Sequence, residues 1–300
     1  MKRAAEDCHA DSDDSKRQKA NDNASSSAVR DYLLDIEGTT TSISFVADVL
    51  FPYVRDHLCS HLTERLEGQD DETIDDIRAL AKQARDDGEE APQIDVSELV
   101  KTVAGGKGSE QSNGRARLST EERARLVAAV QRFVLWCMDN DRKMPALKAL
   151  QGHMWRAAYR SGLIKGHVYA DVLPFLEAAT TQQGASVWIY SSGSVEAQKL
   201  LFAHSEKGDL TKFFSGHFDT MIGSKLAAES YTTICKQMGA EPSSVLFVTD
   251  NIKEAYAADE AGLRVLVSVR PGTMALPEGH SFKAITSFEH IHDLVNEKGK

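Results

Sequence analysis

Short apolar runs alternate with helical segments throughout the second half of the chain. The runs are Ser186–Tyr190, His217–Ile222, Val245–Val248 and Val265–Val269, and the helical segments between them are Val195–His204, Ala227–Met238 and Ile252–Ala261. Each run is continuous rather than alternating in hydrophobicity, which is typical of parallel strands that are covered on both faces. The pattern therefore predicts an α/β fold with a doubly wound parallel sheet.

One further apolar run, Val29–Leu34, lies far upstream and predicts a strand of the same sheet. A helical segment, roughly residues 45–154, separates it from the others. The predicted helices of this segment are Phe45–Leu66, Ser119–Asn140 (with Ser119 as N-cap and Glu122 three residues on) and Ala146–Tyr159. Since the segment interrupts the sheet directly after its first strand, it would overhang the carboxyl ends of the strands, where open α/β sheets bind ligands. We interpret it as a cap or lid.

These patterns divide the chain into a core and two additions. The predicted α/β core comprises residues 29–44 and 155–300, and the helical cap comprises residues 45–154. Residues around 67–123 are charge-rich and interrupted by glycines, so we expect a flexible insertion within the cap. Residues 1–28 are small, polar and charged, and we expect them to be disordered because they cannot bury enough apolar surface to offset the cost of ordering.

The composition argues against several classes of function. The chain has 300 residues and a net charge of -10, and an acidic surface argues against nucleic acid as a partner. No apolar run approaches the roughly 20 residues that span a bilayer, and the first residues lead into no secretory signal. The four cysteines are scattered without a CxxC pair, which indicates a reducing compartment and no zinc site. We therefore predict a cytoplasmic protein without a membrane partner.

Two basic clusters near the start of the chain leave a second location open. Lys2-Arg3 and Lys16-Arg17-Gln18-Lys19 have the pattern of a bipartite nuclear import signal, and an ordinary solvated tail is the alternative. The sequence pattern does not decide between nuclear import and a tail without a signal.

Polar residues follow four of the predicted strands. They are Asp35 and Glu37 after the first strand, Ser191 and Ser192 after the second, Lys225 after the third and Asp250 after the fourth. Taken singly, the serines and Asp250 could cap the helices that follow, and Lys225 could be a solvated side chain. Taken together, at one edge of an α/β sheet, they predict phosphoryl transfer from a monoester.

The two neighbouring acids, Asp35 and Glu37, would repel each other and raise each other's pKa. A divalent cation or a covalent role for one carboxylate removes that objection. Mg²⁺ prefers oxygen ligands from a few carboxylates, phosphate and water, and Asp35 and Asp250 would supply the carboxylates. Asp35 would also form an aspartyl-phosphate, Lys225 would neutralise charge on the phosphoryl group, and groups near Ser191 would hold its oxygens.

These motifs resemble those of the haloacid dehalogenase-like phosphatases, and over roughly residues 30–290 the chain is similar to the enolase-phosphatases of methionine salvage, also called acireductone synthases. The matching stretches are Leu34–Ile43, Leu50–Val54, Ala146–Ala158, Ile189–Phe202, Gly216–Gly223, Leu246–Asp250 and Val269–Gly272. Glu37, in place of the usual second Asp, points to this family within the superfamily. The chain departs from the pattern before Lys225, where Gly223-Ser224 stands and many relatives have a histidine.

The resemblance implies a reaction and a role for each candidate residue. Members of the family enolise 2,3-diketo-5-methylthiopentyl-1-phosphate and dephosphorylate it to the acireductone, which implies a small phosphorylated diketone as substrate, Mg²⁺ as cofactor and a monomer. Asp35 would be nucleophile and metal ligand, and Asp250 the other metal carboxylate. Glu37 would bind the metal through its carbonyl and act as general acid and base through its side chain. The phosphate contacts would be Ser191, Ser192 and Lys225.

Two matters stay open. The base for enolisation is one: Glu37 is a candidate by proximity, while His153 and Arg156 on the predicted cap helix would either hold the diketone or be ordinary helix residues. The activity is the other: a phosphatase for another small phosphomonoester and a non-catalytic scaffold are the alternatives. Competent residues at all motif positions disfavour the scaffold.

Overall fold

The computed structural model describes residues 29–88, 90–99, 118–289, 291 and 294. The predicted tail at 1–28, with both basic clusters, lies outside the described residues. The strands are β1 (Asp31–Leu34), β2 (Ser186–Tyr190), β3 (Gly216–Phe218), β4 (Val245–Thr249), β5 (Arg264–Ser268) and β6 (Lys283–Ile285). Within the described residues these six strands form one parallel sheet in the order β3-β2-β1-β4-β5-β6. The predicted α/β fold with a doubly wound parallel sheet is confirmed.

Helices flank the sheet and fill the segment between β1 and β2. They are α1 (Phe51–Glu67), α2 (Asp71–Asp86), α3 (Thr120–Asp139), α4 (Pro145–Ser161), α5 (Val172–Glu177), α6 (Val195–Ala203), α7 (Ala228–Met238) and α8 (Ile252–Glu260). A π-helical turn, Val46–Leu50, leads into α1. The predicted cap of α3 is confirmed. The side chains of Ser119 and Glu122 each accept a hydrogen bond from the backbone amide of the other residue. Among the helices described, none is both long and apolar enough to cross a bilayer.

Strand β1 lies at the centre of the sheet, between β2 and β4. Leu34 pairs with Ile189 on one side and with Val248 on the other. The amide of Asp35 continues this pairing by donating to the Val248 carbonyl at 2.9 Å. Because neighbouring strands are parallel, the residues that follow β1, β2 and β4 emerge at one edge of the sheet. The strand order reverses direction at this point, which is where open α/β sheets bind ligands.

Apolar side chains cover both faces of the sheet, and the inserted helices enclose a further cluster. Tyr32 and Leu34 of β1 face one cluster, while Leu33 faces another. Burial on both faces explains why the strands are continuous apolar runs. The helices between β1 and β2 bury a cluster of their own, which includes Leu58 and Phe133. These helices are therefore stabilised mainly by packing against one another.

The segment around 67–123, predicted as a flexible insertion, contains a regular helix. The prediction is wrong for Asp71–Asp86, which form α2. α2 has an apolar face in spite of its many charged residues, and Ile77 and Leu80 on this face are fully buried. Asp70 accepts a hydrogen bond from the Thr73 amide at 2.9 Å and so caps the helix. Residues 100–117 of the segment lie outside the described residues.

The third strand is shorter than predicted, Gly216–Phe218 rather than His217–Ile222. The apolar residues after it form a turn, in which the Ile222 amide donates to the Asp219 carbonyl at 3.2 Å. Lys225 therefore lies in a long loop instead of directly after a strand. Two short elements, β6 and α5, are not among the predicted elements.

Candidate active site

The loop that follows β1 presents Asp35 at the carboxyl edge of the sheet. Asp35 is only 5% exposed, and its Oδ1 accepts a hydrogen bond from the Ile36 amide at 2.8 Å. The amides of Thr39, Thr40 and Thr41 all donate to the Ile36 carbonyl, which closes a tight turn. The backbone therefore holds this carboxylate in a fixed position.

Lys225 reaches Asp35 from a distant part of the chain. Its Nζ lies 2.7 Å from Asp35 Oδ1 and 2.7 Å from Glu254 Oε2, and all three side chains are buried. Burial works against the charged form of the amine, but the charges of Asp35 and Glu254 outweigh it and raise the pKa of Lys225. The lysine therefore stays positively charged beside Asp35.

Glu254 is the member of this cluster that sequence reasoning missed. It lies in the first turn of α8, and its Oε2 accepts a hydrogen bond from the Thr249 hydroxyl at 2.9 Å. The same hydroxyl lies 3.1 Å from Oδ2 of Asp35, so Thr249 contacts both carboxylates. Burial, followed by the charge of Asp35, raises the pKa of Glu254. Its spacing was an available signal, because Glu254 follows Asp250 by one helical turn and so faces the same edge.

Asp250 follows β4 and packs against the loop that follows β1. Gly38 has a φ of +69°, and a Cβ atom at this position would lie 2.5 Å from Asp250 Oδ2. The carboxylate therefore meets bare backbone, which only glycine allows. Burial, followed by the charge of Asp35, raises the pKa of Asp250 to about 6.

Glu37 is partly buried at the same edge. Burial, followed by the charge of Asp35, raises the pKa of Glu37, while the charges of Lys225 and Lys143 act in the opposite direction. Lys143 precedes α4 in the inserted segment, so this segment lies within electrostatic reach of the site. Several carboxyl groups whose pKa values are raised by burial and by a neighbouring carboxylate, at one edge of a sheet, are typical of a functional site.

The acidic side chains of this site would need further ligands to hold a metal ion. Among the described residues, no three His, Cys, Asp or Glu side chains form a group that could hold a metal ion. The predicted Mg²⁺ ligands are of another kind, namely the carboxylates of Asp35 and Asp250 and the backbone carbonyl of Glu37. Such a set suits Mg²⁺, which retains waters and takes oxygens of a substrate phosphate. The raised pKa of Asp250 and its close approach to Gly38 both fit a cation between the two loops.

The loop after β2 contributes Ser191 and Ser192. Ser191 is buried, and its amide donates to the Phe218 carbonyl at 3.2 Å, at the end of β3. Ser192 is exposed in the turn. Ser194 accepts a hydrogen bond from the Ala197 amide and so caps α6. Both serines thus lie just before a helix N-terminus, where backbone N–H groups favour an anion.

Gln198 ties this loop to β3. Its Nε2 donates to the carbonyls of Gly193 at 2.9 Å and Phe218 at 2.8 Å. Its Oε1 lies 3.2 Å from Nδ1 of His217, so the imidazole donates from Nδ1. Burial, followed by the charge of Lys199, lowers the pKa of His217 to about 4. A neutral His217 therefore supports the loop through its hydrogen bond with Gln198.

His153 and Arg156 on α4 contact carboxylates. Nδ1 of His153 lies 2.6 Å from Oδ2 of Asp76. Arg156 pairs with Glu72 of α2 at 2.8 Å and with Glu196 of α6 at 2.6 Å. Arg156 therefore bridges the inserted helices to a helix beside the sheet. These contacts favour the interpretation as ordinary helix residues over diketone binding.

A family model, curated proteins and a solved structure are similar to this chain over most of its length. The family model for "haloacid dehalogenase-like hydrolase" matches residues 32–262. "Enolase-phosphatase E1" of Naegleria gruberi is 46% identical over 88% of this chain and 96% of that protein. A "Probable bifunctional methylthioribulose-1-phosphate dehydratase/enolase-phosphatase E1" of Populus trichocarpa is 46% identical over 87% of this chain and 47% of that protein. The solved structure of the UTR4 protein of Saccharomyces cerevisiae is 31% identical, with a TM-score of 0.58, over 87% of this chain and 99% of that one.

Proposed function

The chain belongs to the enolase-phosphatase family of haloacid dehalogenase-like hydrolases, and from this premise we propose that it enolises 2,3-diketo-5-methylthiopentyl-1-phosphate and then dephosphorylates it to the acireductone. The observation that carries the proposal is the buried contact of Lys225 with Asp35 and Glu254, at the edge where Asp250 meets Gly38. A charged lysine beside a buried carboxylate is suited to holding a phosphate against a nucleophile.

Asp35 is the nucleophile of the phosphatase step. One of its oxygens bonds to phosphorus, and the bond from phosphorus to the ester oxygen breaks while Glu37 gives that oxygen a proton. Water then attacks the aspartyl-phosphate, Glu37 takes up a proton from it, and phosphate leaves with Asp35 restored. The raised pKa of Glu37 supports the acid role, because a carboxyl that keeps its proton closer to neutral pH donates it more readily.

Three side chains bind the phosphate in this scheme, namely Ser191, Ser192 and Lys225. Lys225 neutralises one of the phosphoryl oxygens, and the serines and nearby amides at the start of α6 receive the others. Their place at the edge where Asp35 emerges supports these roles.

Asp35 and Asp250, with the carbonyl of Glu37, would hold Mg²⁺. When bound, the ion would offset the negative charge of the phosphoryl group and make phosphorus a better electrophile. Burial, followed by the charge of Asp35, raises the pKa of Asp250, and a bound cation would stabilise its charged form.

Glu37 is the residue that we assign as base for enolisation. The proton to be removed lies on the carbon that bears the ester oxygen, one bond away from the atom that Glu37 protonates in the next step. The neighbouring carbonyl oxygen takes up a proton from water as the enol forms, and Glu37 keeps the proton from carbon for the ester oxygen. The carboxylate partners of His153 and Arg156 support this assignment, because they leave both residues engaged elsewhere.

The Populus relative supports the choice of substrate. Its printed name combines an enolase-phosphatase with a dehydratase that acts on methylthioribulose-1-phosphate. Loss of water from the hydroxyl-bearing carbons of such a ketose phosphate, followed by ketonisation, yields a methylthio diketone phosphate. Two activities joined in one protein commonly act in succession, so this diketone is the substrate that we propose.

Residues 45–154 act as a cap over this site, and the charge of Lys143 near Glu37 supports that role. A monomer remains our prediction from the family, and a protein without a nucleic acid partner remains our prediction from the net charge of -10. A cytoplasmic location remains our prediction from the scattered cysteines. Nuclear import through the tail remains its alternative.

Asp35→Asn and an enediol assay test the proposal together. With Mg²⁺ and the diketone phosphate, the unmodified protein should release phosphate and give the ultraviolet absorbance of the acireductone. Asp35→Asn should stop phosphate release while the protein stays folded, and EDTA should stop it until Mg²⁺ is returned. Phosphate release without the enediol would instead indicate a phosphatase for another monoester. Normal turnover by Asp35→Asn would refute the aspartyl-phosphate scheme.

A further inference from the structure

The loop that carries Lys225 needs an explanation for its fixed position. β3 ends at Phe218 and α7 begins at Ala228, so Lys225 lies in a connection without regular strand or helix. Its Nζ is nevertheless held 2.7 Å from two buried carboxylates. A lysine side chain has four rotatable bonds and loses much entropy when it is fixed. The backbone beneath it must therefore be held by other groups.

Two tyrosine hydroxyls hold this backbone. The Tyr231 hydroxyl donates to the carbonyl of Lys225 itself at 2.7 Å. The Tyr190 hydroxyl donates to the carbonyl of Gly223 at 3.1 Å. Both tyrosines are fully buried, and their rings meet edge to face with centroids 5.5 Å apart. The loop is thus anchored at two carbonyls, two residues apart, from α7 and from the end of β2.

Two further contacts show that this loop packs closely against α7 and against the ring of Tyr190. Gly223 has a φ of +145°, and a Cβ atom there would lie 2.2 Å from the Ser230 hydroxyl oxygen on α7. Nζ of Lys225 lies 5.6 Å from the ring centroid of Tyr190, so this ring also faces the ammonium group. Tyr190 directly precedes Ser191, and one residue thereby links the two loops that would bind the phosphate.

We propose that Tyr231 and Tyr190 are positioning residues, whose hydroxyls set Lys225 against Asp35 and the substrate phosphate. This inference rests on the proposed function, in which Lys225 binds the phosphate. Without the hydroxyl of Tyr231, the Lys225 carbonyl would lose a buried donor, and the loop would relax to find another. The amine would then spend less time within reach of the phosphoryl oxygens.

Tyr231→Phe is the main variant of the test, because it removes one hydroxyl and keeps the ring. Measured with Mg²⁺ and the diketone phosphate, kcat/KM should fall by about tenfold. The affinity for inorganic phosphate should fall by a similar factor. Tyr190→Phe, which removes the longer hydrogen bond, should cause a smaller loss of the same kind and serves as the second variant if Tyr231→Phe folds poorly.

Tyr159→Phe is the matched control. Among the described residues, the buried hydroxyl of Tyr159 has no hydrogen-bond partner, and the residue lies on α4. This variant removes a buried phenol hydroxyl without releasing a carbonyl, so kcat/KM and phosphate affinity should stay at their original values.

A double-mutant cycle with Lys225→Met separates positioning from general stability. In the Lys225→Met background, Tyr231→Phe should cause no further loss of phosphate affinity, because the amine that it positions is gone. An equal loss in both backgrounds would overturn the inference and leave the proposed function intact. Unchanged phosphate affinity in Lys225→Met alone would instead refute the role of Lys225, and the positioning role with it.

Discussion

The backbone of Gly38 faces the carboxylate of Asp250 so closely that a Cβ atom would lie 2.5 Å from its Oδ2. Gly38 follows Asp35 by three residues, and Asp250 follows the neighbouring strand β4. The loop after β1 and the loop after β4 therefore meet at the point where the proposed cation would bind. Any side chain at position 38 has to displace the side chain of Asp250.

Gly38→Ala should strongly reduce activity through this contact. Displacing Asp250 by about 1 Å would cost on the order of a hundredfold in kcat/KM, because catalytic groups tolerate little misplacement. The concentration of Mg²⁺ that gives half-maximal activity should rise as well. Steady-state assays over a series of Mg²⁺ concentrations measure both effects.

Gly88→Ala is the control for backbone strain. Gly88 also has a positive φ, +84°, but within the described residues no atom lies within 4 Å of the place that a Cβ atom would occupy there. Both variants should lose about 1 kcal/mol of stability from the left-handed backbone. Only Gly38→Ala should change the Mg²⁺ requirement, and equal requirements in the two variants would contradict a metal between these loops.

Glu254→Gln should lower kcat/KM by about tenfold, in line with the loss of a hydrogen bond between charged groups. Glu254 shares the ammonium group of Lys225 with Asp35. When its charge is removed, Lys225 should pair more tightly with Asp35, which makes that carboxylate a weaker nucleophile. Glu260→Gln, an exposed position on the same helix α8, is the control. Activity equal to that of the control would show that Glu254 does not affect the pairing of Lys225 with Asp35.

The site was predicted best from the sequence where a functional residue directly follows a strand. Asp35 and Asp250 stand immediately after apolar runs, and parallel strands bring such positions to one edge. Glu254 was missed because its role depends on a contact with Lys225 from another part of the chain. The spacing from Asp250 indicates which edge Glu254 faces, but no local pattern predicts its contact with Lys225.

Two errors in the predicted elements have local causes. The run His217–Ile222 is apolar enough for a strand, but the polar residues inside it favour a turn, and β3 ends at Phe218. The charges of α2 suggested a flexible segment, although Ile77 and Leu80 stand on one face of the helix. Tertiary packing against the other inserted helices decides the second case, and it is not visible in the segment alone.

Arg156→Ala should weaken the link between α4 and α6. Arg156 joins Glu72 to Glu196, and Glu196 lies in the first turn after the loop of Ser191 and Ser192. Partly exposed ion pairs contribute about 0.5–1 kcal/mol, so kcat/KM should fall by about two- to fivefold. Sodium chloride should lower kcat/KM of the original protein toward that of the variant, because salt screens the pair.

Arg55→Ala provides the comparison for this prediction. Arg55 pairs with Asp139, and both belong to the inserted helices α1 and α3. This variant removes a more exposed ion pair that does not reach α6, so kcat/KM and its salt dependence should stay unchanged. If both arginine variants behaved alike, the link to α6 would have no role in the reaction.

His217 should make the protein less stable as the pH falls below 6.5. Its pKa is lowered from 6.5 to about 4, first by burial and then by the charge of Lys199. Between these values the unfolded chain binds a proton that the folded protein does not, so acid favours unfolding. The stability contributed by the neutral ring is complete above pH 6.5 and is lost as the pH approaches 4.

Urea unfolding of His217→Asn between pH 4 and 7 checks this dependence. The variant should be less stable at pH 7, since Gln198 loses its imidazole partner, but its stability should change less with pH because no ring is left to titrate. His57→Asn, at an exposed position on α1, should keep the original slope. A slope in His217→Asn as steep as in the unmodified protein would mean that other groups cause the acid sensitivity, and that the loop of Ser191 does not depend on a neutral histidine.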